Sequence, residues 1–448
     1  LTGTAGEGDC EYFNPFATSY NTAPNSQYVI DSFTGLETID SKADLQVYEG
    51  FMSFDVFDMD GGAAGLAFGM QYRDESLSQD SFTFVIGNPD FDGSLDVWAV
   101  FAEMALPVSN DLDIQLAVRY EDYGGTIGDT IDPKVAFSYR ASEELSFRGS
   151  ISTSFRAPTV FLRSGGGTSL QQLNDPLIGA NAFAAVRTVG NEDLKPEEST
   201  AYNMGVSFEP ISDVSIEIDY WNFEFEDLII QENPQAVLNL DPSDPERVVR
   251  AGDPLTGPLT QVNNTYVNAS SLETSGLDFV ASYKMDTDAG LFVPSINATY
   301  ITKYELDDPQ AGKVDGAGRR NFTNIGTSSP ELRLNLGLNW SSGAHSANIF
   351  ARYISSYDDD QNCSDGTVST ATGCDSGFKE VDSHVTYDLQ YNVNLGTIFD
   401  TQNNYVLSVG GINITDEEPP QLFTNSGFDS KVHDPRGRQI YARFAVEF

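Results

Sequence analysis

The chain lacks a long apolar run, which limits the ways in which it can enter a membrane. No stretch reaches the roughly eighteen consecutive apolar residues of a spanning helix, although 40% of the 448 residues are hydrophobic. A membrane-spanning helix is therefore excluded on length. In lipid, the remaining solution that satisfies every backbone hydrogen bond is a closed barrel of strands.

Basic residues are also scarce. The chain has 24 Lys and Arg against 67 Asp and Glu, a formal net charge of −43. Such an excess of negative charge argues strongly against nucleic acid as a partner. It also disfavours anionic ligands, which would approach against the field of the protein. The composition therefore favours a neutral ligand such as a saccharide, or a cationic one.

Groups suited to catalysis are sparse as well. The three histidines, His345, His384 and His433, lie far apart in the sequence and have no Ser or Cys partner at a useful spacing. No glycine-rich phosphate loop joins a strand to a helix. We therefore expect a protein that is not an enzyme and that carries no cofactor.

Only three cysteines are present. Cys363 and Cys374 lie eleven residues apart in a polar stretch, which predicts a local disulfide in an oxidising compartment. Cys10 is left without a partner, which we expect to lie upstream of residue 1; the alternative is a free buried thiol. Because the first residues show no initiator Met and no apolar signal region, we expect a processed or truncated N-terminus.

The chain is rich in period-2 alternation, which is typical of strands with one apolar face. Leu332 to Trp340 alternates leucine and Trp with polar residues or glycine, and Ile440 to Phe448 has a wholly apolar face. Such blocks predict an all-β fold of about fifteen strands. The predicted strands are 46–57, 62–73, 95–106, 111–122, 131–140, 143–155, 198–209, 212–225, 272–283, 290–303, 330–341, 345–357, 381–395, 404–413 and 438–448.

The connections between these blocks alternate between tight turns and long segments. A barrel of the outer-membrane type has short periplasmic turns and long extracellular loops, so this alternation predicts a transmembrane antiparallel β-barrel. Because an odd number of strands does not close as a regular antiparallel barrel, we expect further strands on the N-terminal side. The long connections are 74–94, 156–197, 226–271, 304–329, 358–380 and 414–437.

Four motifs occur in a familiar order along the chain. They are Ser154 to Thr159 (SFRAPT), Gly190 to Ser199 (GNEDLKPEES), Asn413 to Pro420 (NITDEEPP) and Asp434 to Arg438 (DPRGR), followed by the terminal Phe448. Together with the alternating loops they resemble the C-terminal barrel portion of the TonB-dependent outer-membrane receptors.

This resemblance implies a bacterial outer-membrane barrel of about 22 strands around an N-terminal plug. No plug precedes residue 46, so we expect residues 1–45 to be an extracellular loop or partial strand remnant and 46–448 to be the C-terminal part of the barrel. The expected partners are outer-membrane lipid, the TonB complex through the missing plug, a small nutrient ligand and the barrel assembly machinery. Phe448 resembles the terminal aromatic signal that this machinery reads.

The function implied by the resemblance is energised uptake of a scarce nutrient, such as a siderophore, a saccharide or another small ligand. Two alternatives remain open from the sequence. A passive porin or adhesive barrel would lack an energy requirement, and a secreted β-rich carbohydrate-binding protein would be soluble without detergent. A plug upstream of residue 1 would distinguish the receptor for energised uptake from the passive porin or adhesive barrel.

Candidate binding residues lie in the long connections. Arg319 and Arg320 form the only doubled base in such a loop and are suited to a carboxylate or phosphate group. Aromatic side chains suited to stacking or to loop packing include Tyr357, Phe378 and Phe423. We expect no metal site, because no loop has the spacing of a calcium motif. The weak candidates for one are Asp358, Asp360 and Asp365.

Overall fold

A computed structural model describes residues 12–14, 25–35, 38–82, 89–309, 312–322, 324–367, 374–401, 403–422, 424 and 426–447. Strands dominate this part of the chain. The elements, in order, are α1 (Gln27–Phe33), β1 (Thr38–Met59), β2 (Gly62–Phe82), β3 (Phe91–Ser109), β4 (Leu112–Gly124), β5 (Gly128–Arg140), β6 (Leu145–Arg156), α2 (Val160–Ser164), β7 (Gly166–Asp175), β8 (Ala180–Val189), β9 (Glu197–Ile211), β10 (Val214–Gln231), α3 (Pro234–Leu240), β11 (Val248–Arg250), β12 (Leu259–Tyr283), β13 (Met285–Thr287), β14 (Gly290–Asp308), β15 (Gly312–Asp315), β16 (Leu332–Ser342), β17 (His345–Ile354), β18 (Tyr357–Cys363), β19 (Phe378–Val381), β20 (His384–Asn394), α4 (Leu395–Ile398), β21 (Asn404–Ile412) and β22 (Gln439–Glu447).

One antiparallel meander organises the molecule. Within the described residues it contains fifteen strands, in the order β1, β2, β3, β4, β5, β6, β9, β10, β12, β14, β16, β17, β20, β21 and β22. Each of the fifteen predicted segments overlaps one of these strands, so the predicted all-β antiparallel fold is confirmed. No ladder joins β1 to β22 in the described part of the chain, and the barrel is not closed.

The two faces of this sheet differ in chemistry. On one face, Ile296, Leu336 and Ala351 are direct neighbours on β14, β16 and β17. Leu336 is 46% exposed and Ile349 is 43% exposed, so apolar side chains on this face remain uncovered by protein. The opposite face carries polar groups such as Asn335. An apolar outer face and a polar inner face are the arrangement of a membrane barrel.

Aromatic side chains border the apolar face at both ends. Tyr48 lies opposite Tyr72, and Tyr72 opposite Trp98, toward the end with the long connections. Phe292 and Trp340 lie opposite each other near the tight turns, with ring centroids 6.4 Å apart. Such belts are typical of the two membrane–water interfaces.

The extent of several strands differs from the prediction. The long connection predicted over 74–94 is mostly strand, because β2 continues to Phe82 and β3 begins at Phe91. Likewise β1 begins at Thr38 rather than at 46, and its ladder with β2 starts at the Thr38–Phe82 pair. Beyond the apolar band both faces are polar, so the period-2 signal stops although the backbone ladder continues.

The long connections carry structure of their own. The connection between β6 and β9 contains α2 and the β7–β8 hairpin, and β8 pairs in parallel with the outer part of β12. Together with α3 and β11 these elements form a loop module with its own apolar core, which includes Leu173, Val186, Leu238 and Val262. No helix in the described ranges is long and apolar enough to cross a membrane.

Candidate functional site

Three long connections meet at the end of the sheet opposite the tight turns. They span 309–331, 355–383 and 413–438, and we call their meeting point the loop junction. The amide of Asp358 donates to the carbonyl of Gly318, and the amide of Arg320 donates to the carbonyl of Asp358, both at 2.8 Å. The first connection is thus fastened to the second by a short strand-like contact.

Arg320 lies inside this junction. Its Nη1 atom donates to Asp359 Oδ1 at 2.9 Å and to Gln361 Oε1 at 3.1 Å, and its guanidinium lies 4.5 Å from the centroid of the Phe322 ring. Asp359 is fully buried and also accepts from Asn362 at 2.7 Å. Because a buried carboxylate requires a partner, Arg320 holds two connections together.

The aspartates of this stretch do not converge on one point. Asp360 is buried and accepts from the amide of Phe322 at 2.8 Å, whereas Asp365 is exposed and accepts from the Thr367 amide at 3.0 Å. Partial burial raises the pKa of Asp358, an effect that the charge of Arg319 opposes. Among the described residues, no group of three or more His, Cys, Asp or Glu side chains is arranged to hold a metal ion.

Tyr357 connects the second connection to the third. Its hydroxyl lies 3.1 Å from Asp429 Oδ2 and 3.2 Å from His433 Nε2. The His433 ring also meets the His384 ring edge-to-face, with centroids 5.0 Å apart. All four side chains are buried. This Tyr–Asp–His–His cluster joins β18, the start of β20 and the last connection.

Burial changes the proton affinities in this cluster. It raises the pKa of the Tyr357 phenol, and the nearby Asp429 carboxylate adds to that effect. It lowers the pKa of His433 to about 4, helped by His384 and opposed by Asp429. Burial also lowers the pKa of His384. Both imidazoles are therefore neutral at neutral pH.

Arg319 and Phe378 form the more accessible part of the junction. The Arg319 guanidinium lies 5.3 Å from the centroid of the Phe378 ring, and both residues are partly exposed. A disulfide joins Cys363 and Cys374 beside them. The predicted residues Phe423 and Phe448, as well as Cys10, lie outside the described residues.

The structure thus brings four of the predicted binding residues to the same junction: Arg319, Arg320, Tyr357 and Phe378. Sequence reasoning missed Asp429 and the role of the two histidines, since residues separated by tens of positions carry no local signal. Their proximity arises from the strand order, which places β17, β20, β21 and β22 side by side.

The polar face of the sheet is lined with ion pairs. The Arg148 Nη2 atom lies 2.8 Å from Glu217 Oε2 and also pairs with Asp219. Arg352 pairs with Asp388 on the neighbouring strand. These pairs cross between strands, so the charges of this face largely satisfy one another.

Comparisons with known proteins agree with this architecture. Residues 8–414 match the profile of the family described as TonB dependent receptor-like, beta-barrel. A curated relative, the probable TonB-dependent siderophore receptor PirA of Acinetobacter baumannii, is 23% identical over 132 residues, which are 30% of this chain and 17% of the relative.

Solved structures show the same fold. The ferric enterobactin receptor PfeA of Pseudomonas aeruginosa, in complex with enterobactin, superposes with a TM-score of 0.65 at 15% identity and covers 90% of this chain. The siderophore receptor PirA of Acinetobacter baumannii gives a TM-score of 0.61 at 16% identity, again over 90% of this chain. The chain spans 54% of the length of each of these structures. The chain therefore belongs to the family of TonB-dependent receptor-like β-barrels, whose members lie in the bacterial outer membrane.

Proposed function

We propose that this chain is the C-terminal barrel part of a receptor that takes up a siderophore by TonB-dependent, energised transport. The observation that carries the proposal is the family match over residues 8–414, and the relatives named above support the siderophore as the ligand class. These relatives are described as receptors, not as enzymes. In this proposal, residues 46–448 belong to the barrel, residues 1–45 comprise a preceding segment and the N-terminal end of β1, which begins at Thr38, and the plug contacts TonB.

We propose Arg319 and Phe378 as ligand contacts at the extracellular opening of the barrel, which we call the mouth. Both side chains are partly exposed and can therefore reach a ligand. The proposed task of Arg320 and Tyr357 is to position the connections, since both side chains are engaged inside the junction. Phe423 remains a candidate ligand contact on the basis of the sequence alone.

The charges near the mouth bear on which siderophore would bind. Arg320 is paired with Asp359, Arg436 with Asp434, and Arg438 with Asp416. Paired cations attract an anionic chelate less than free ones do. A neutral or cationic ferric chelate, or a neutral saccharide as the second ligand class, therefore suits this mouth better than a highly anionic one.

Uptake by cells that carry the complete receptor tests the proposal. A deletion of the gene should abolish accumulation of at least one iron-55-labelled chelate under iron limitation, and complementation should restore it. Accumulation should also stop when the TonB protein is removed. Uptake that continues without TonB would instead indicate a passive porin, and uptake that is unchanged by the gene deletion would refute the proposed function.

Within that assay, Arg319→Ala should raise the apparent KM for the chelate because it removes a mouth contact. The matched control is Arg436→Ala, which removes an exposed arginine already paired with Asp434. Equal effects of the two substitutions would contradict the assignment of Arg319 as a ligand contact.

A further inference from the structure

Two neutral imidazoles lie buried together in the loop junction. His384 is 7% exposed and His433 is 5% exposed, and their rings meet edge-to-face. The Nε2 atom of His384 and the Nδ1 atom of His433 are buried and have no hydrogen-bond partner among the described residues. Neither ring can take up a proton there without placing a new charge in a site shielded from water.

The surroundings of the pair provide little compensation for such a charge. Asp429 acts on His433 as an opposite charge, but its carboxylate is already engaged with the Tyr357 hydroxyl. Arg333 on β16 acts on His433 as a like charge, whereas Glu417 acts on His384 as an opposite one. A proton on either imidazole also repels a proton on the other, because the two rings are in contact.

The pair lies where the last connection is attached to the rest of the junction. His433 and Asp429 belong to the connection 413–438, and His384 begins β20. Beside them a small apolar cluster joins Val381 to Leu422 across the same contact. Separation of the connection from β18 and β20 would expose both imidazoles to water.

From this geometry we propose that His384 and His433 form an acid-released latch between the connection 413–438 and the β18–β20 segment. At neutral pH both rings are uncharged and the latch is closed. In acid the open form binds protons that the closed form excludes, so the connection detaches and widens the mouth. This behaviour is independent of the identity of the ligand.

The direction of the pH effect follows from linkage. An exposed histidine has a pKa of about 6.5, whereas in the closed state the pKa of His433 is lowered to about 4. Between these values the open form binds more protons, so the closed state loses stability as the pH falls. The opening constant should therefore rise by up to about tenfold per pH unit for one histidine, and more steeply if both take part.

Hydrogen exchange of the complete receptor in lipid nanodiscs tests the latch. Peptides that cover 426–436 are followed by mass spectrometry at pH 7.5, 6.5, 5.5 and 4.5, with intrinsic exchange rates corrected at each pH. We expect opening to be nearly constant above pH 6.5 and to increase steeply below it. A corrected opening constant that stays flat to pH 4.5 would overturn the proposal.

Histidine variants test whether His433 and His384 cause the pH dependence of opening. His433→Gln should remove most of the pH dependence and His384→Gln should reduce it, whereas His345→Gln should leave it unchanged. His345 is a suitable control because its Nδ1 atom bonds the Tyr391 hydroxyl at 2.6 Å, far from the junction. A wild-type slope in His433→Gln would refute the latch. If His433→Gln and His384→Gln both lose protection against hydrogen exchange already at pH 7.5, the pH dependence of the opening constant in the wild-type protein decides between the latch and its absence.

Discussion

An arginine in place of Leu336 tests the membrane orientation of the sheet most directly. Leu336 lies on the apolar face of β16, opposite Ile296 on β14 and Ala351 on β17. It is four positions from Trp340, which belongs to the aromatic belt near the tight turns, and four from Leu332 at the other end of the strand. Leu336 is thus at the centre of the apolar band.

The size of the effect follows from this depth. A strand rises about 3.4 Å per residue, and a tilt of about 40° reduces this to roughly 2.6 Å along the membrane normal. Leu336 then lies about 10 Å from either border of the band, near the middle of an apolar belt about 25 Å tall. An arginine on the lipid face at the midplane opposes folding by about 2–4 kcal/mol.

The assay is reversible unfolding in urea with the protein inserted in lipid vesicles. The free energy of unfolding should fall by that amount for Leu336→Arg. The control, Asn335→Arg, introduces the same residue at the same depth on the polar face and should change the free energy of unfolding by less than about 1 kcal/mol. Equal destabilisation by both variants, or a neutral Leu336→Arg, would refute the assignment of the two faces.

Two further predictions concern the connections. Arg250→Ala should lower the local stability of the loop module by about 3–5 kcal/mol, because it leaves buried Asp175 without the guanidinium that bonds it at 2.8 Å. Tryptic cleavage within the module should therefore be faster. The control, Arg436→Ala, removes one member of an exposed pair and should leave the cleavage rate unchanged. Replacement of Cys363 and Cys374 by Ser should destabilise their connection by about 2–4 kcal/mol, seen as faster hydrogen exchange there, and unchanged exchange would contradict a stabilising role for the disulfide.

The positions of the strands were largely predictable, because a sheet with one face in lipid imposes strict alternation on the sequence. Leu332 to Trp340 shows this most clearly, and β16 was found at Leu332–Ser342. The extensions of β1 and β2 were not predictable. Residues such as Asp40 and Asp80 lie opposite each other in the ladder. Both faces of the strands are in water there, so the sequence shows no alternation of apolar and polar residues that would predict a strand.

The loop junction shows a different limit. Residue type and position in long connections indicate Arg319, Arg320, Tyr357 and Phe378 as candidate binding residues, and all four lie in the junction. The partners of Tyr357 were not recognised, because Asp429 and His433 lie more than seventy residues further along the chain.

What brings these side chains together is the register of successive hairpins. Ile354 pairs with His384 at the long-connection end of β17 and β20, and Ile412 pairs with Gln439 at the same end of β21 and β22. Every connection that leaves this edge therefore begins close to its neighbours. Distant residues can then form one buried cluster, and a change in the charge of His433 acts on the attachment of a whole connection.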